Sequence, residues 1–446
     1  MEKHKTISKI VILSALFSAV IIFLSTSLTM QDSDYVEQTP IVMQPLEPMH
    51  YPPNNARPQW RPPELTREQF LEDFDYLMAT LEGNFPSFSI IYRRTGVDML
   101  GVAEELREGI LDEDVEWDYL PFWNLLRNDF FGHANSIGHL RWYCFGEWQI
   151  TYGRGGVLNR NNVYPFFGSQ LTNMGLPLEN TMLRWDNIEA FSQHHLVTHI
   201  FEEGNIAYIR VPNMEQDVHI RHHQRVNEFY GQLEGFGHLI IDMRGLTGGW
   251  SGPFNRLLAS PLIYEHMEAT LYLFFMGGEQ NQRAVHRSRQ RSRIQPFDFE
   301  NLNIIFTEDF LTEEVTNDLR HMDYFFPVTH AIHPTSSESR SPFDGKVWLL
   351  TDMNNFSAAQ VITDLWKHSG FATLVGDTTG GMAVDGDIGS VMFTLPNTRF
   401  MVRYDPMYII SADGRPMEEG TVPHHFNREG MNALQTVLAL IAEGNY

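Results

Sequence analysis

The chain has 446 residues, 43% of them apolar and 13% aromatic, enough for a large buried core and more than one domain. A formal charge of −24 excludes a general nucleic-acid surface, and a single cysteine, Cys144, excludes an internal disulfide. The one basic cluster, "RAVHRSRQRSR" at 283–293, reads as a solvated loop.

In chain order, a basic start, "MEKHKTISK", precedes "IVILSALFSAVIIFLSTSL" at 10–28, which carries no charge and is followed by Asp32, Asp34 and Glu37. This run nearly matches the ~20 residues that span a bilayer. The charge asymmetry directs the rest of the chain out of the cytoplasm. Residues 1–30 are therefore expected to be a membrane anchor or a signal peptide. The anchor is favoured, because no clear small-x-small cleavage site follows. The expected location is the cell membrane with the bulk of the chain extracytoplasmic, or secreted if the segment is cleaved. Residues 31–65 are a proline-rich linker.

Residues 66–145 read as a helical domain. Thr66 caps an amphipathic helix in "TREQFLEDFDYLMATLEGNFP", and further helices are expected over 97–110 and 118–131. Residues 146–204 connect it to a core domain at 205–446. There, strand-like "NIAYIRVPNM", "HLIIDMRG", "KVWLLTD" and "ATLVGDTTGG" alternate with helical patterns, and "VMFTLPNTRFMVRYD" reads as a hairpin. Such alternation predicts an α/β fold with a mixed, mostly parallel sheet. Residues 265–345 lie between two core strands and read as an insertion.

Four motifs could carry chemistry. In "KVWLLTDMNNFSAAQVITDLW" a buried strand turns into a helix at Ser357. A serine there is usually an N-cap, yet it is also where a nucleophile finds free N–H groups beside it. "IIDMRGLTGGWSG" ends a strand in Asp242, Arg244 and a glycine loop with Gly248 and Gly249. Glycines let backbone amides approach a bound group closely, although a tight turn would look the same. "SIGHLRWY" places His139 at the end of the third helix, and "ADGRPMEEGTVPHHF" holds Glu418 and Glu419. Either would be unremarked alone, as a core histidine and a solvated turn.

Taken in order, these motifs resemble the tail-specific or C-terminal-processing serine peptidases, the group that includes the tricorn-protease core. The likeness covers about 205–265 and 346–426 well, and the "IGHLRW" unit moderately. It implies a crotonase/ClpP-like core, hydrolysis of a peptide or protein substrate, and no cofactor or metal. The family's substrate-binding PDZ domain has no counterpart here. One branch of the family takes a lysine base about 25 residues after the serine. Met382 stands at that position, and no lysine follows Lys367. The tricorn-like branch takes a histidine instead, which implies His139 as the base for Ser357.

The resemblance then implies a division of roles. Ser357 is the nucleophile, and imidazole suits its activation because its ordinary pKa lies near neutrality. Glu418, or its neighbour Glu419, is the late carboxylate, and Ser136 is a supporting group beside the imidazole. The amide of Ala358, with that of Gly248 or Gly249, forms the oxyanion hole. Gln360 stands where the family has glutamate, and His424 where it has aspartate. The alternative reading is a relative that binds peptides without cleaving them. The histidine pairs lack metal-site spacing, GxSxG is absent, and the export signal disfavours an acyl-CoA enzyme.

Overall fold

The computed structural model describes residues 64–142, 196–288, 291–381 and 388–444, which fall within one unit, Gln59–Tyr446. The expected anchor at 10–28, nearly all of the linker, most of the connecting region and Met382 lie outside the described residues. Among the described residues no helix is long and apolar enough to cross a membrane.

Thirteen strands occur among these residues. The first six are β1 Arg141–Trp142, β2 Val197–Glu202, β3 Ile206–Arg210, β4 His238–Asp242, β5 Met267–Phe275 and β6 Gln295–Pro296. They are followed by β7 Tyr324–Ile332, β8 Lys346–Thr351, β9 Thr373–Gly376, β10 Val391–Thr394, β11 Met401–Tyr404, β12 Met407–Ile410 and β13 His425–Phe426. The central sheet has the order β13-β9-β8-β4-β3-β2 and is parallel except for edge strand β2.

Parallel strands must be covered on both faces, which is why β4 and β8 read as unbroken apolar runs. One face packs on helices Val218–Tyr230, Ser251–Leu258 and Ala358–His368 through Val226, Leu257, Ile362 and Trp366. The other face is closed by Val437 and Leu440 of the final helix, Ala433–Glu443. That helix has an Asn432/Gln435 capping box and is not anticipated in the sequence reading.

The three N-terminal helices form as expected, at Arg67–Asn84, Met99–Leu111 and from Tyr119 onward, with a further helix at Phe88–Thr95. They do not enclose a core of their own. Phe74, Leu81 and Phe122 share one apolar cluster with Phe274 and Phe306 from the expected insertion and with Phe400 and Tyr404 from the β10–β11 hairpin. The segment 265–345 is accordingly a structural layer. Its long strands β5 and β7 pair antiparallel over their full length, and β5 also pairs with β12. Alternation along β5 sends Tyr272 and Phe274 toward the helical cluster. Leu271, Leu273 and Phe275 meet Val361 of the serine helix on the opposite face.

Candidate active site

Strands β4, β8 and β9 are neighbours and run parallel, so the loops after each meet along the sheet's carboxyl edge. In open α/β sheets this edge is where ligands bind. The loop after β8 carries Ser357, the loop after β4 carries Gly248, and the loop after β9 carries Gly380 and Gly381.

Side chains and backbone stitch these loops together. Asn355, fully buried, donates through Nδ2 to the carbonyls of Met243 (2.6 Å) and Leu246 (3.2 Å). Asp352 accepts from the Gly245 amide at 3.1 Å. Ser357 N donates to Gly381 O at 3.0 Å, and Gly380 N to Asn355 O at 2.7 Å. Gln360 is fully buried and structural: its Nε2 donates to Thr421 Oγ1 at 2.8 Å, and its Oε1 accepts from Thr379.

Ser357 does not cap its helix through its side chain. Its φ of +57° is a conformation L-residues avoid, at a cost of about 1–3 kcal/mol, and such strain persists only where the surroundings impose it. The hydroxyl thus sits on a tight turn beside the Ala358 amide, which opens the helix and has no intrahelical acceptor. A β-carbon on Gly248, whose φ is +104°, would lie 3.1 Å from Ala358 N; one on Gly249 would strike Met214 O at 2.3 Å. Of the two glycines, Gly248 therefore faces the serine turn. Asp242 is buried and accepts from Arg244 Nη2 (2.7 Å) and Tyr208 (2.8 Å), which fixes the base of the glycine loop.

His139 is 6% exposed and also has positive φ, +47°. Its Nδ1 is engaged by Asp405 Oδ2, and the other Asp405 oxygen accepts from Ser390. The Asp405 amide donates to Gly138 O at 2.7 Å. Burial pushes the Asp405 carboxyl up, but His139, Arg403 and the Ser390 hydrogen bond together hold it below the ordinary carboxylate range.

The partners read from the sequence lie elsewhere. Glu418 is 4% exposed, and its Oε2 accepts from the Gly138 amide at 3.0 Å, so it supports the backbone of the histidine turn while Asp405 occupies Nδ1. Glu419 turns away to pair with Arg93 at 2.7 Å. Ser136 is half-buried with φ +60°, and its hydroxyl makes no hydrogen bond among the described residues. Asp405 is the residue the sequence reading missed. Its signal is a carboxylate closing an apolar strand immediately before Pro406, which a turn would equally explain.

Three contacts link the histidine turn to the serine turn. Gly138 N reaches Glu418, Glu418 O packs on Gly381 (2.4 Å from a β-carbon built there), and Gly381 O receives Ser357 N. Arg94 Nη1 ties the same two loops by donating to Gly380 O and Glu418 O. Among the described residues His139 and Ser357 make no direct hydrogen bond. Lys367 lies in the last turn of the serine helix, paired with Asp413 at 3.3 Å. His424, one of the paired histidines, accepts from Leu374 N at 2.9 Å.

Residues 205–426 match peptidase family S41. No curated protein sequence matches the chain. Among solved structures, a candidate peptidase from Parabacteroides merdae shares the fold. It is 15% identical with a TM-score of 0.50, and the match covers 85% of this chain and 97% of that one. Mature CPAF complexed with lactacystin matches at 12% identity and a TM-score of 0.48, over 81% of this chain and 94% of that one. The photosystem II D1 C-terminal processing protease matches at 12% identity and a TM-score of 0.38, over 82% and 94% of the respective chains.

Proposed function

Starting from a chain that belongs to peptidase family S41 through residues 205–426, and is thus a serine peptidase acting on peptides or proteins, we propose that it cleaves peptide bonds by a Ser357–His139 mechanism outside the cytoplasm. Ser357 Oγ attacks the scissile carbonyl while His139 Nε2 takes its proton and later returns it to the leaving amine. The Ala358 amide and the glycine loop at Gly248–Gly249 receive the oxyanion, each such donor lowering the barrier by about 3–4 kcal/mol. Glu418 acts on the base indirectly, by holding the Gly138 amide.

The observation that carries this reading is the strained Ser357 turn, with Gly248 packed on it and the Ala358 amide beside it. The pairing of Lys367 with Asp413 at the far end of the helix supports an imidazole base over a lysine base. A fluorophosphonate probe should label the wild type and leave Ser357→Ala unlabelled. A wild-type chain that stays unlabelled would instead be a peptide-binding relative without catalysis.

Residues 10–28 anchor the chain in this reading, supported by their uncharged sequence and flanking charges. Fractionation should leave the full-length chain in the membrane pellet after carbonate washing. A soluble product beginning near residues 27–31 would show a cleaved signal instead.

A further inference from the structure

Asp405 closes the hairpin pattern but belongs to none of the four motifs that could carry chemistry; we infer that this buried carboxylate positions His139 and fixes the tautomer and orientation of the base. The inference rests on the Ser357–His139 reading and deepens it.

Asp405 is 1% exposed, at the turn between β11 and β12. Burying a carboxylate is costly unless its oxygens are satisfied. Here Oδ2 meets His139 Nδ1 and Oδ1 meets the Ser390 hydroxyl. The same residue's amide holds Gly138 O. Asp405 thus grips two consecutive residues of the histidine turn, one through the backbone and one through the side chain. Glu418 grips the same turn from its other side through Gly138 N. The two carboxylates divide the work, one holding the strained backbone and the other the ring.

The chemical consequence follows from the ring itself. An ionised carboxylate at Nδ1 accepts a hydrogen bond, so the Nδ1 proton stays there and the lone pair is left on Nε2. Among the described residues Nε2 has no hydrogen-bond partner. When Nε2 takes the Ser357 proton, the imidazolium carries a charge that Asp405 balances. No proton passes to Asp405 in this step. Ser390 keeps the carboxylate from rotating off the ring. The charged groups around this pair are Arg403 on β11, Arg141 beside it on β1, Glu418 at the Gly138 amide and Arg94 at the Glu418 carbonyl.

The test is the rate of fluorophosphonate labelling of Ser357 across pH 4–10, normalised to folded protein. Asp405→Asn presents an amide N–H to Nδ1 and enforces the wrong tautomer. It should slow labelling at neutral pH by about 10³–10⁴-fold. It should also move the pH at which the rate rises downward, because the anion that favours the imidazolium is gone. Ser390→Ala should move both readouts the same way by a smaller amount, and it carries the test if Asp405→Asn does not fold. A purely structural Asp405 would lower the yield of folded enzyme and leave the rate per folded molecule and its pH profile unchanged; that result overturns this inference alone. A wild type unlabelled at Ser357, or a His139→Ala variant labelled as fast as wild type, overturns the underlying reading and this inference with it.

Discussion

Gly248 and Ser357 touch across the carboxyl edge of the sheet: a β-carbon on Gly248 would stand 2.9 Å from Cβ of Ser357 and 2.8 Å from Phe356 O. Both are closer than real carbon atoms tolerate, and the φ of +104° at Gly248 adds strain for any other residue. Gly248→Ala should therefore push the glycine loop off the serine turn. A fall in kcat of at least ~10²-fold is expected, the scale of one lost oxyanion donor. Steady-state rates on a fluorogenic peptide, beside a thermal melt, check it; unchanged turnover would remove Gly248 from the site.

Ser357→Ala and His139→Ala should impair turnover to a similar degree, and the double variant should be hardly worse than either, because members of one catalytic unit fail together. Multiplicative losses in the double variant would mean that the two side chains act independently.

Glu418 accepts from a backbone amide, and glutamine retains an acceptor oxygen for it. Glu418→Gln should thus cost about 10-fold or less in kcat, and Glu418→Ala clearly more, since it leaves the Gly138 N–H buried without a partner. Equal losses in the two variants, read from the same rate assay, would point to the charge rather than the acceptor.

Asp73 joins the first helix to the β10–β11 hairpin. It accepts from Asn397 N and Thr398 N, both at 2.7 Å, and from Thr398 Oγ1. It is fully buried, and burial pushes its carboxyl up despite these donors. Asp73→Ala orphans buried donors and should destabilise the fold by about 2–4 kcal/mol, measured by urea unfolding.

Acid stability should depend on Asp405. Its folded-state carboxyl lies below its unfolded value, so it stabilises the fold above the unfolded pKa of about 3.9, and that contribution is lost as pH falls through the lower folded value. Asp405→Asn should make unfolding below about pH 4 less steep than in the wild type, as followed by circular dichroism.

The alternation of strands and helices in the core was legible because β4 and β8 are covered on both faces and so read as continuous apolar runs. Ser357 was legible from its place between such a run and an amphipathic helix. His139 was not readable from its own surroundings and emerged only through the ordered resemblance. Asp405 stayed hidden because its partner is 266 positions away. Local pattern carries no trace of such a contact. The second sheet was hidden for a related reason. β5 pairs with β12, which follows some 130 residues later, so residues 265–345 looked like an addition rather than a layer.

The histidine turn is held by two residues that come very late in the chain, Asp405 and Glu418. During synthesis His139 emerges long before either, and Ser357 precedes both. The turn that carries His139 is therefore closed by contacts spanning 266 and 280 positions, so it forms with the fold as a whole and not as a local element.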